Sequence, residues 1–238
     1  MSKKLPKGRA SISDKLFNFG KHLVYSEGTK TEPYYVDNIK KLIAKKHNCK
    51  TNDVEIIPVC KEKKESFNTI KLVEYAEQDV RKRLQDGEII NQVWIMFDKD
   101  SFPKDDFDAA IYKIESKNDS EGDNEFGFYF QKKTNIAWHS CSSNESFELW
   151  YLLYYDYVDS KLSRSDYIDK LKNKDGLKHL NEKEMKSFEG IHDLITANGG
   201  DIKNAIRNAN KLNMQNNKEN PSTYVVKFAE FFLPYFCD

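Results

Sequence analysis

The sequence predicts an α/β fold: a mainly parallel sheet with flanking helices, followed by a helical carboxy-terminal part. Three observations carry this. Short apolar runs of buried-strand type recur along the first 144 residues. Segments with helical spacing of apolar residues separate them, and such alternation builds a two-faced parallel sheet. From Ser146 onward the pattern is helical and stays so.

Taken in order, Lys3, Lys4, Lys7 and Arg9 make residues 1–20 a basic start that reads as a flexible, solvated terminus. Residues 22–26 are the first strand candidate. Pro33 suits a first helical position, and Tyr35, Ile39, Leu42 and Ile43 give the segment ending at His47 an apolar face. Val54 to Val59 is the second strand. Ser66 can cap a helix whose Phe67, Ile70, Val73, Ala76, Val80 and Leu84 follow helical spacing, with Gly87 as its stop. The third strand spans 91–97, and a helix follows near 105–117. Asn118 to Glu125 is polar enough for an exposed loop, and Ile136 to Ser140 is a fourth strand. Further helices are expected at 145–157, 179–188, 201–213 and 222–233. We divide the chain into an α/β core, 21–158, and a helical part, 159–238, packed against it. In the last helix Tyr224, Phe228, Phe231 and Phe232 form an aromatic stripe that reads as core.

Composition narrows the function classes. With 39% apolar and 13% aromatic residues, a chain of 238 residues can bury a substantial core, which sets it apart from disordered sequences. Its 38 basic and 38 acidic side chains cancel, so net charge does not favour a nucleic-acid partner, though it allows a local basic groove. From Asp98 to Glu125 ten acids face four lysines. Cys49, Cys60, Cys141 and Cys237 are scattered, without a CxxC pair, so neither a zinc cage nor a disulfide scaffold is expected. The amino terminus lacks the apolar core of a signal peptide. The longest apolar stretch, Phe147 to Tyr155, contains Glu148 and is too short for a bilayer. The expectation is a soluble cytoplasmic protein without a membrane partner.

The chemistry lies at the ends of two strands. One runs into Ser26-Glu27-Gly28-Thr29-Lys30-Thr31-Glu32-Pro33, the other into Phe97-Asp98-Lys99-Asp100. Ligands bind at the carboxyl edge of an open α/β sheet. Gathering Glu27, Glu32, Asp98 and Asp100 there is costly without cations, and oxygen-rich clusters suit Mg²⁺ or Mn²⁺. Divalent metals on carboxylates usually handle phosphate esters. Gly28-Thr29-Lys30-Thr31 lacks the residues of a nucleotide-binding phosphate loop. An aspartyl-phosphatase arrangement, with Asp98 attacking phosphorus, is a rival that leaves Glu27 and Glu32 idle. Asn144 has the chemistry of a helix N-cap, and Glu148 sits four residues later within an apolar stretch, where it needs a cation, a metal or a donor. His139 reads as a structural histidine.

These segments together resemble the RloB family. The family's EGxxTEPxY matches Glu27 to Tyr34, continuing with Tyr35. Its FDxDxF matches Phe97 to Phe102, its SNPxFELW matches Ser143 to Trp150 with Glu145 in place of proline, and its NPST matches Asn220 to Thr223. The match covers about residues 21 to 234. The chain departs from the family at Tyr154, where histidine is common, and in lacking a dense amino-terminal arginine run.

The resemblance implies a Toprim-like fold and phosphotransfer chemistry, with Glu27 as metal ligand or general acid/base. It also implies Asp98 and Asp100 as metal ligands and Glu32 and Glu148 as additional ones. Lys30 and Asn144, inside the matched motifs, are the expected substrate-binding residues. The resulting expectation is a Mg²⁺- or Mn²⁺-dependent nuclease acting on DNA or RNA, tRNA among the candidates. Its setting would be bacterial anti-phage defence through abortive infection, under control of an ATPase partner; homo-oligomerisation stays open. A metal-dependent phosphatase and a non-catalytic metal-binding scaffold are the alternatives.

Overall fold

The computed structural model describes residues 20–48, 53–59, 68–100, 103–118 and 136–237. Its five strands are β1 (His22–Ser26), β2 (Val54–Pro58), β3 (Gln92–Asp98), β4 (Ala137–Asn144) and β5 (Ser222–Thr223). Nine α-helices accompany them among the described residues. α1 (Thr31–His47), α2 (Thr69–Gln85) and α3 (Lys104–Glu115) belong to the strand–helix alternation. α4 (Glu148–Leu152), α5 (Arg164–Lys172), α6 (Glu182–Lys186), α7 (Ile191–Ala197), α8 (Ile202–Asn216) and α9 (Val225–Phe236) make the helical part. A 3₁₀ turn, Ser116–Asn118, extends α3.

The sheet order is β2-β1-β3-β4-β5, parallel except for the last pair. The chain leaves β1 to one side for β2, then crosses back to the other side for β3. β1 and β3 therefore flank the switch point at which doubly wound sheets bind ligands. Because strand side chains alternate, Val24, Trp94, Met96 and Cys141 face one way, against α1, α9 and most of the helical part. Leu23, Tyr25, Val93, Ile95 and Phe97 face the other way, against α2 and α3. The two central strands are thus buried on both faces, which is why they read as continuous apolar runs.

Several local expectations change. Pro33 is the third residue of α1, where its missing N–H is still one the helix leaves unpaired; the first i→i−4 bond comes from Tyr34 N to Lys30 O, at 2.8 Å. α2 is capped by Asn68, whose side chain accepts from Lys71 N at 3.0 Å. The expected cap Ser66, with Phe67, lies outside the described residues, as do Cys49, Cys60, the basic start and the loop 119–125. The segment expected to be helical over 145–157 narrows to α4, and β4 runs on past Ser140 to Asn144. Asn144 therefore ends a strand instead of capping a helix, and its Nδ2 donates to Lys218 O at 2.9 Å. α5 and α7 are additional helices. The aromatic stripe is core: Phe228 and Phe232 are fully buried, and Phe231 and Tyr224 partly. His139 stacks on Trp94 with centroids 4.0 Å apart and meets Gln92 Oε1 at 2.6 Å, far from the strand ends that carry the acids.

Candidate metal centre

Parallel register decides which residues meet. Ser26 pairs with Met96 and Asp98 with Ser143, so the ends of β1, β3 and β4 share one edge of the sheet. Glu27 leaves β1 with its N–H donating to Met96 O at 3.0 Å. Asp98 is the last residue of β3. The next two residues stay anchored to the neighbouring chain segment, Lys99 N to Ser143 O at 2.9 Å and Asp100 N to Glu145 O at 3.0 Å. Asp100 takes the left-handed conformation (φ 44°), which aspartate tolerates better than most residues. That bend returns a second carboxylate to the side of the first.

The β1–α1 turn delivers Glu32. Ser26 Oγ donates to Gly28 O at 2.8 Å and fixes the turn. A Cβ on Gly28 would collide with Glu32 Oε2, so glycine here is what lets the carboxylate close over the loop. α4 delivers Glu148 from beneath. A cleft of about 330 Å³ results, lined by Glu27, Lys30, Glu32, Asp98, Asp100 and Glu148 together with Arg164 and Lys186. The turn residues Gly28, Thr29 and Thr31 complete its wall. Of the site residues expected from sequence, the structure brings six into this cleft; Asn144 is not among its lining residues.

Five acids and three bases line the cleft. Arg164, the first residue of α5, lies among the acids: Nη2 donates to Asp98 Oδ2 at 2.6 Å and lies 2.9 Å from Asp100 Oδ1, while Nε is 3.5 Å from Glu148 Oε2. Compensation is incomplete. Asp98 Oδ1, Glu148 Oε2 and Arg164 Nε are buried without a hydrogen-bond partner in the protein. Burial pushes Asp98 well above the usual carboxylate range, with the charges of Glu32 and Glu148 adding and Arg164 opposing. Glu32 is pushed up to about 7, chiefly by burial, with Glu148 and Glu27 adding and a backbone hydrogen bond and Arg164 opposing.

Among the described residues, no three His, Cys, Asp or Glu side chains already form a set that could hold a metal ion. The Arg164 guanidinium lies between Asp98, Asp100 and Glu148 instead. The donor chemistry nonetheless fits a hard divalent cation. Every acidic ligand offers oxygen, and two buried carboxylate oxygens of the cleft lack a hydrogen-bond partner. Asp98, Asp100, Glu148, Glu27 and Glu32 are the residues that would hold it.

Sequence reasoning missed Arg164 and Lys186, both from the helical part. Arg164 stands 66 residues from Asp98 in the chain. Its one local signal is the capping pair Ser163 and Asp166, which marks a helix start. The family model described as RloB-like protein matches residues 22–231. No curated protein and no solved structure matches the chain. Among the described residues no helix is long and apolar enough to cross a membrane.

Proposed function

Because the chain belongs to the RloB-like protein family and five of its carboxylates line one cleft, we propose that it is a Mg²⁺- or Mn²⁺-dependent, Toprim-like nuclease. The observation that carries this reading is the pair of buried carboxylate oxygens, on Asp98 and Glu148, left without a hydrogen-bond partner at a sheet switch point. Bound there, the metal would supply Lewis-acid stabilisation of phosphoryl oxygens and a more acidic water. Asp98, Asp100 and Glu148 hold the cation, and Glu27 at the mouth of β1 serves as a further ligand or as the group that takes and returns a proton. Lys30 and Lys186 border the cleft, where an ammonium can meet a phosphodiester backbone. DNA or RNA, tRNA included, is the substrate class, and anti-phage defence beside a controlling ATPase partner is the setting we propose.

The test is cleavage of labelled DNA and RNA by the full chain with Mg²⁺ or Mn²⁺, beside Asp98→Asn and Asp100→Asn. Loss of metal-dependent cleavage in both variants is expected; full activity in both would overturn the assignment. Turnover of p-nitrophenyl phosphate instead would mark a phosphatase. A second reading has one observation in its favour: Arg164 pairs with three of the carboxylates, as it would in a scaffold whose acids are permanently self-neutralised. Such a scaffold would neither cleave nor bind Mn²⁺.

A further inference from the structure

Arg164 stands on oxygens of two of the carboxylates that would hold a metal. Nη2 alone serves both Asp98 Oδ2 and Asp100 Oδ1, and Nε points towards Glu148 Oε2 without closing a hydrogen bond. That is a poor use of a guanidinium, whose strength lies in the two-pronged grip on one carboxylate. The same chain shows the better version: Arg83 holds Glu55 through both Nη atoms, at 3.0 and 2.6 Å. The Arg164 contact is therefore the easier of the two to exchange. Its side chain is 32% exposed, which leaves a route to solvent, whereas the Asp98 and Glu148 side chains are 8% and 2% exposed and stay behind. The helix base beneath it is fixed, because Ser163 and Asp166 form a complete capping box. A guanidinium does not lose its proton at accessible pH, so it can vacate the site only by moving.

We propose that Arg164 is a resident counterion that a divalent cation must displace, so that metal loading of this cleft is gated by one side chain. The inference rests on the metal-site reading given above and adds a competitor built into the chain. Cation and guanidinium compete, because the guanidinium holds Asp98 Oδ2 and Asp100 Oδ1 of the same two carboxylates, and two positive charges on adjoining oxygens repel. Once displaced, the arm remains at the mouth of the cleft with Lys30 and Lys186, where an anionic phosphate can receive it.

The experiment titrates Mn²⁺ alone into the full chain by calorimetry, comparing wild type with Arg164→Gln and Arg164→Lys. Arg164→Gln should bind Mn²⁺ about tenfold more tightly or better, since close charge pairs couple by more than the 1.4 kcal/mol that a factor of ten represents. Arg164→Lys, which keeps the charge but loses the fork, should fall between the two. Circular dichroism checks folding; if Arg164→Gln does not fold, absence of tightening in Arg164→Lys overturns the proposal. Equal or weaker Mn²⁺ binding in a folded Arg164→Gln removes the gate and leaves the metal site standing. Absence of Mn²⁺ binding in wild type and variants alike removes both.

Discussion

At the scale of single residues, burial and partner count separate site groups from structural ones. Glu148 is 2% exposed, yet its Oε2 has only a 3.5 Å approach from Arg164 Nε. Glu148→Gln should therefore keep its thermal midpoint close to wild type while losing most Mn²⁺ affinity. A stability loss of about 3–5 kcal/mol with metal binding intact would make it a structural partner instead. His192 is the opposite case, a buried ring whose Nδ1 shares a hydrogen bond with Tyr154 OH at 2.9 Å. Burial holds its pKa down to about 4, so the unfolded chain takes up its proton first. Its contribution is complete above the ordinary value near 6.5 and is lost as pH falls towards 4. Glu32, held up to about 7, acts in the other direction: without metal, its contribution is present below its ordinary value and lost as pH rises through 7. The two are separated by His192→Asn, whose amide oxygen can accept from Tyr154. The fall in thermal midpoint between pH 6.5 and 4 should be shallower in that variant than in wild type, and parallel curves would refute the assignment.

At the scale of elements, the β1–α1 turn is sensitive to a single methyl group. Gly28→Ala should push the Glu32 carboxylate off the loop while leaving β1 and α1 intact, because the atom it meets is the end of a flexible side chain. Mn²⁺ affinity should fall by about tenfold with little change in the circular dichroism melt; an unchanged affinity would show that Glu32 contributes nothing to the cleft. The elements also show what a sequence can reveal. β1 and β3 were legible because both their faces are buried and the run ends abruptly in acids. β4 was cut short, since Ser140, Ser142 and Ser143 are polar but buried, and Ser143 Oγ meets Thr223 Oγ1 at 3.1 Å across to β5. That pairing joins residues 80 apart, which no local pattern reports. α5 went unseen because its nine residues carry few apolar side chains, and Arg164 with it. The acids of the cleft announced themselves at strand ends, whereas the cation that answers them depends on how the helical part folds back.

At the scale of the whole molecule, the helical part is no appendage: it shares one core with α1 and one face of the sheet. Phe228 and Phe232 pack on Trp94, and Phe231 and Phe232 close over His22, whose Nδ1 accepts from Trp94 Nε1 at 3.1 Å. Deleting residues 222–238 removes β5 and α9 and exposes that face. Four buried apolar side chains, Val225, Val226, Phe228 and Phe232, at about 1.5–3 kcal/mol each approach the whole stability of a domain, about 5–15 kcal/mol. The truncated chain should fail to fold, seen as loss of a cooperative melt; a folded truncation would make α9 a detachable docking face instead. The position of α9 also has a consequence in time. A growing chain emerges from the ribosome with β1 and β3 long before residues 225–236 exist to cover them. Until then, the face of the sheet that α9 covers, with His22 and Trp94 on it, lacks its finished support. The cleavage we propose would therefore be withheld until α9 closes the core that β1, β3 and the helical part share.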